Sequence, residues 1–190
     1  MTTILKIGGS LAADSDRRSA LLADVAAGLH GRCVVVPGGG AYADAVRAAQ
    51  IHEGFDDAEA HRRALAAMGR MAADFCSIEP RLARSPAPWA ENIDTSWVWD
   101  PTNLQVGDPD IPETWDVTSD SLALWLALRM RAARCVLVKS ADASSQEDAD
   151  GLAQSGLMDA AFPAFAARYG GSIAIWGPTR NVTLRQRVAV

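Results

Sequence analysis

The chain has 190 residues, enough for one compact domain over residues 1–190 with a sizeable core. It is 49% hydrophobic and 22% charged, with a net charge of −5 and no basic stripe or tail, which argues against a nucleic-acid partner. No apolar run approaches the ~20 residues of a membrane span. No basic segment followed by an apolar stretch opens the chain, so the expectation is a cytoplasmic protein with no membrane partner. Cys33, Cys76 and Cys135 are odd in number, and two of them fall in apolar runs. They read as buried thiols of a reducing compartment, and no Cys/His spacing suggests a metal site.

Taken in order, Thr3 to Ile7 is a short apolar run that breaks at Gly8-Gly9, as a buried parallel strand does. Arg18 to Leu29 has helical spacing and stops at Gly31. Cys33 to Val36 predicts a second buried strand, ended by Pro37-Gly38-Gly39-Gly40, and Ala41 to Gln50 predicts a helix. A longer alanine-rich helix is expected over Asp57 to Cys76, with Ala60, Ala64, Leu65, Met68, Met71 and Phe75 near one face. Proline and tryptophan make the stretch from Pro80 to Ile111 irregular, with a strand at Ser96 to Trp99. A helix resumes over Thr118 to Met130, capped by Thr118 or Ser119. Strands at Val136 to Val138 and Ile173 to Trp176 flank a helix at Leu157 to Tyr169. Ala143 to Gly156 is polar and acidic and reads as a mobile loop. Short strands alternating with helices predict an α/β fold, a three-layer α/β/α sandwich around a mainly parallel sheet.

Lysine placement is the strongest chemical signal. Sixteen of the eighteen basic residues are arginine, and lysine occurs only at Lys6 and Lys139, each at the end of an apolar run. A compact ammonium on a flexible stem acts as a point charge toward phosphate, unlike a planar guanidinium. Gly8-Gly9 and Gly38-Gly39-Gly40 each follow a predicted strand, where glycines let backbone N–H groups approach phosphate oxygens. Asp120 falls in the first turn of its helix. There it either caps the helix or holds one or both lysines charged and oriented. His30 reads as a helix end and His52 as an exposed loop residue; for His61 a helix surface is the commoner reading.

The segments Lys6-Ile-Gly-Gly-Ser10, Val-Val-Val-Pro-Gly38-Gly-Gly and Thr118-Ser-Asp120-Ser-Leu-Ala, in this order, resemble the amino acid kinase superfamily. Within it, Arg47, His61, Trp115 before Thr118-Ser119-Asp120, and Phe162-Pro163 are similar to the small kinases of methanofuran biosynthesis, which phosphorylate aminomethylfuran-methyl phosphate. The resemblance implies an ATP-dependent kinase working with Mg2+ on a small, phosphate-bearing acceptor, in a homo-oligomer of two or more chains. It implies that Lys6 contacts the phosphoryl group in flight, that Gly8, Gly9 and Gly39 offer amides to its oxygens, and that Asp120 orients the lysine. Lys6, Gly9 and Asp120 are thus the expected catalytic set. Ser10, Lys139, Ser140, Asp142 and Gly177 join Lys6, Gly8 and Gly9 on the nucleotide side. Gly38, Gly39, Gly40, Arg47, His61, Trp115 and Ser119 belong to the acceptor side.

The sequence departs from the family at Lys139-Ser140-Ala141-Asp142-Ala143, where a Thr-Asp-x-Asp-Gly turn is usual. Ser140 stands in place of the first aspartate and Ala143 in place of the glycine, and Trp176-Gly177 replaces the usual Asn-Gly. Lys139 either takes over a nucleotide-phosphate role or is a surface lysine. Another small-molecule kinase of the superfamily and a non-catalytic nucleotide- or anion-binding subunit of the same fold therefore stay open as alternatives.

Overall fold

The structure, a computed structural model, describes residues 1–9, 11, 14–91, 94–104 and 108–184. Its sheet has seven strands among these residues: β1 (Thr2–Ile7), β2 (Arg32–Pro37), β3 (Ala83–Ser85), β4 (Trp97–Trp99), β5 (Arg134–Val138), β6 (Ser172–Trp176) and β7 (Asn181–Thr183). They lie in the order β3-β4-β2-β1-β5-β6-β7, all parallel to their neighbours except β7, which runs antiparallel to β6.

Among the described residues the six α-helices are α1 (Ser15–Ala26), α2 (Gly40–Glu53), α3 (Asp57–Ile78), α4 (Ser119–Arg129), α5 (Ala149–Gln154) and α6 (Phe162–Arg168). Strand alternation divides the core into two layers. Ile4, Val34, Val36, Cys135, Leu137, Ile173 and Ile175 face α4 and α6, together with Leu65 and Met68 of α3. Leu5, Ile7, Cys33, Val35, Val136, Val138 and Ala174 face α1 and the other part of α3, at Met71, Ala72 and Phe75. Both faces of the central strands are covered, which is why they read as continuous apolar runs. The result is the expected α/β/α sandwich.

This order sets the site. β1 pairs with β2 on one side and β5 on the other, so the strand order reverses at β1. The crevice beyond the carboxyl ends at such a switch point is where open α/β sheets bind ligands. Lys6 stands near that end of β1.

Several sequence expectations need correction. The stretch from Ala143 to Gly156 is not one loop: it contains α5, whose Leu152 is fully buried, and Ala143 itself is buried. The helix expected over Leu157 to Tyr169 is confined to α6, because its first residues form turns that dock on the start of α4. α1 starts before Arg18 and ends at Ala26, leaving Gly28 with φ 75°, so His30 lies beyond the helix end. His52 lies in the last turn of α2 rather than in a loop. β3 and β7 have three residues each, too short for a periodic signal.

Candidate active site

Alternation along β1 puts Lys6 on the same face as Ile4, toward α4. Lys139 follows Val138 at the end of β5 and turns to the same face. Asp120, in the first turn of α4, meets both. Lys6 Nζ lies 2.6 Å from Asp120 Oδ1, and Lys139 Nζ donates to Asp120 Oδ2 at 2.6 Å. All three side chains are buried, the most exposed being Lys139 at 10%.

One carboxylate between two ammonium groups leaves a net positive charge in a poorly solvated place. Burial alone would raise the pKa of Asp120, but the charges of Lys6 and Lys139 and their hydrogen bonds outweigh it, and the pKa is lowered. Burial pushes the Lys139 ammonium down to about 8, and the neighbouring Lys6 charge adds to this, against the pull of Asp120. Excess buried charge is costly. An arriving anion would offset that cost, which is what a phosphoryl site needs.

The glycine turns approach each other above this cluster. A Cβ on Gly38 would overlap the amide of Gly9, and one on Gly9 would overlap the backbone of Gly40. Gly40 also takes φ 52°, in the left-handed region, where glycine avoids the cost of a Cβ. One of the three expected amide donors is already used, since Gly8 N–H donates to Val138 O at 3.2 Å, and so is the amide of Gly38 on the acceptor side, which donates to Ile7 O at 2.9 Å. These amides extend the sheet ladder and do not point at a ligand. Gly39 and Gly40, by contrast, open α2, and the first amides of a helix have no intrahelical acceptor.

A cavity of about 490 Å³ opens beside the glycines. Gly9, Gly39, Gly40, Arg47, His61, Trp115 and Ser119 line it, so the expected acceptor residues other than Gly38 share one space. The Arg47 guanidinium lies 4.3 Å over the Trp115 ring, and Trp115 Nε1 donates to Gln50 Oε1 at 2.6 Å, which fixes the indole. His61 is not on a helix surface: it is buried, and desolvation lowers its pKa against the opposing effects of Glu113 and the Thr114 backbone. Leu65, Met68, Val117 and Leu122 give the cavity an apolar wall.

On the other side of Lys139, a cavity of about 550 Å³ is lined by Lys139, Ser140, Ala141, Asp142, Glu147, Ser155, Gly156 and Leu157. The Asp142 carboxylate is occupied there: it accepts from Thr179 N at 3.0 Å, Arg180 N at 2.9 Å and the Thr179 hydroxyl. It anchors the turn after β5 to the turn after β6. Gly177 belongs to that anchor, because a Cβ there would strike Asp142, and it lines a separate cavity of about 310 Å³ with Arg17 and Trp176. Ser10 lies outside the described residues.

Three side chains escaped the sequence reading. Arg17 of α1 donates to the carbonyls of Lys139 at 2.9 Å, Trp176 at 3.0 Å and Gly177 at 2.7 Å, clamping the ends of β5 and β6. In Asp16-Arg17-Arg18 it looks like any helix-surface arginine. Gln50 had no signal beyond its place in α2. Asp159 accepts from the start of α4, whereas the sequence places it inside the helix expected over Leu157 to Tyr169.

The set is compatible with a magnesium-bound nucleotide as substrate. Lys6 and Lys139 would meet its phosphates, and the cluster carries positive charge to receive them. Among the described residues no group of three or more His, Cys, Asp or Glu could hold a metal ion. Among the same residues, no helix is long and apolar enough to cross a membrane.

Residues 1–80 match the model of the Amino acid kinase family. No curated protein matches the chain. Among solved structures, aspartate kinase from Synechocystis superposes with a TM-score of 0.70 at 13% identity, over 100% of this chain and 40% of that one. UMP kinase from Bacillus anthracis gives 0.69 at 12% identity, over 100% and 97% of the two chains. Uridylate kinase from Archaeoglobus fulgidus gives 0.67 at 17%, over 98% and 92%. Residues 1–80 are therefore similar in sequence to the amino acid kinase family, and the chain as a whole has the α/β fold of these aspartate and UMP kinases.

Proposed function

We propose that the chain is an ATP-dependent small-molecule kinase. The observation that carries this reading is the buried Lys6–Asp120–Lys139 cluster at the sheet's switch point, with Lys139 lining one cavity and Ser119, next to Asp120, lining another. Phosphoryl transfer asks little covalent chemistry of a protein; it asks for positioning and for positive charge where charge builds on the moving group. In this reading Lys6 meets the transferred group, Lys139 meets the nucleotide phosphates, and Asp120 keeps both ammonium groups aimed. The amides at the start of α2 face the acceptor, and the acceptor's own hydroxyl or phosphate oxygen is the nucleophile.

The acceptor is phosphate-bearing with a compact apolar body. Arg47, held against Trp115, supplies a charge for an anionic end, and Leu65, Met68, Val117 and Leu122 supply the apolar wall. Aminomethylfuran-methyl phosphate, converted to its diphosphate in a methanofuran-type pathway, fits this description and is the specific candidate. A cytoplasmic homo-oligomer completes the reading.

A non-catalytic anion-binding subunit is the second reading. It is favoured by one observation, that the Asp142 carboxylate is spent on Thr179 and Arg180. Calorimetry of ATP-magnesium against the parent and Lys139→Ala, followed by ADP release with phosphate-bearing acceptors, separates the two. A charge-assisted contact contributes about 1.5–3 kcal/mol, so the variant should bind roughly 10–100-fold more weakly. Binding with no ADP release across the acceptors supports the subunit; no binding by the parent overturns the kinase and leaves the non-catalytic reading.

A further inference from the structure

Asp120 occupies a position from which a side chain could cap α4, yet its carboxylate is turned away to the two lysines. The N-cap residue, Thr118, makes no side-chain cap bond of its own. Asp159 takes over from 41 residues downstream. Its Oδ2 accepts from Thr118 N at 2.9 Å, Thr118 Oγ1 at 2.8 Å and Ser121 N at 3.0 Å, and its Oδ1 accepts from the Ser121 hydroxyl. Ala161 N–H adds a bond to Asp116 O at 2.9 Å, so this segment ties down the chain on both sides of Asp120. A cap alone needs one oxygen and one or two amides. Here both oxygens are engaged by four donors that bracket Asp120.

Building on the phosphoryl-transfer reading, we propose that Asp159 is a positioning residue: it fixes the first turn of α4 so that Asp120 stands between the two ammonium groups, and it presents a second negative charge to Lys139. The segment suits this role, because Ser155, Gly156 and Leu157, just before Asp159, line the cavity on the Lys139 side. Burial and the nearby Asp120 charge raise the pKa of Asp159, while the Ser121 and Thr118 donors oppose them. The charges that bear on Lys139 come from every side of it: Lys6 on β1, Asp120 on α4 and Asp159, with Asp142 and Glu147 on the cavity wall. Asp159 acts in the same sense as Asp120, favouring the charged ammonium.

With only two lysines in the chain, 13Cε-lysine labelling gives two resonances, which Lys139→Ala assigns. Titrating the parent and Asp159→Asn by NMR requires neither nucleotide nor acceptor. Asparagine keeps the shape and removes the charge. The expected result is a folded variant whose Lys139 midpoint falls below the parental value, and a return toward the parent in Asp159→Glu. Three results overturn the proposal: a lowered melting temperature with both titrations unchanged, which makes Asp159 a cap; an Asp159→Asn chain that does not fold, which makes it a folding residue; or an Asp159→Glu midpoint that stays with Asp159→Asn. Absence of ATP binding by the parent would sink the kinase reading and leave this titration fully readable.

Discussion

Lys6 and Lys139 share one carboxylate but differ in what their loss should do. Lys6→Ala removes the charge expected on the transferred group. Losing one well-placed electrostatic contact lowers turnover roughly 10²–10³-fold, and the variant should fold, because Asp120 keeps Lys139 as a partner. Near-normal ADP release by Lys6→Ala would remove that role. Asp120→Asn is harsher, because it removes the direct ion-pair partner of two buried ammonium groups and leaves only the Asp159 charge near Lys139. Breaking a buried pair costs on the order of 3–5 kcal/mol, against about 1 kcal/mol for a lost cap. The cheapest relief is for Lys139 to release its proton, so the cost should sit near the lower end. Denaturant unfolding checks this: a loss no larger than that of a cap would show that the carboxylate carries little of the cluster.

Lys139 also makes activity and stability diverge with pH. Its ordinary value of 10.5 falls to about 8 in the folded chain, chiefly through burial. Between those values the folded protein releases the proton while the unfolded chain keeps it. The unfolded state then binds more protons, so this group's contribution to stability rises with pH across that window. The charged form needed at phosphate disappears over the same range. The kcat/KM for nucleotide, which reports groups of the free enzyme, should therefore decline above about pH 8 while unfolding measurements show Lys139 contributing more, and Lys139→Ala should flatten both trends. A parent profile that stays level past pH 9 would contradict the assignment.

Among the elements, the turn after β1 and the turn before α2 function as one part. A methyl group on Gly38 would enter the Gly9 backbone, where no flexible side chain can yield. Overpacking of this kind costs about 1–3 kcal/mol. Gly38→Ala should lose that stability and also weaken nucleotide binding, whereas Gly170→Ala, which meets nothing within 4 Å, should do neither. Melting temperatures of the two variants make the comparison.

The central strands, the helices α1 to α4 and the lysine–glycine–aspartate set were legible because each leaves a local trace. A buried parallel strand is a continuous apolar run, and Lys6 stands out in a chain that otherwise uses arginine. What stayed hidden is long-range. Asp159 caps a helix that begins 40 residues earlier, Arg17 collects carbonyls from two strands more than 120 residues away, and Asp142 spends its carboxylate on the turn after β6. Nothing near those residues announces the partner. α5 was lost in a polar stretch because six residues give too few turns for periodicity to register, and only Leu152 is buried.

For the whole molecule, the central claim is that the sheet's switch point carries a positively charged, buried phosphoryl site assembled from β1, α4 and β5. Topology brings the three elements together: β1 between β2 and β5 sets the two lysines side by side, and α4 lies over them with its first turn at their level. Because the chain has only two lysines, the site can be watched directly. The measurement is the 13Cε-lysine spectrum of the parent titrated against pH, with and without a magnesium-bound, non-hydrolysable ATP analogue. The account predicts that both resonances shift on adding the analogue and that the Lys139 midpoint rises from about 8, since a phosphate anion beside the ammonium favours its charged form. Two resonances that stay where they were, with an unchanged midpoint at saturating analogue, would contradict it.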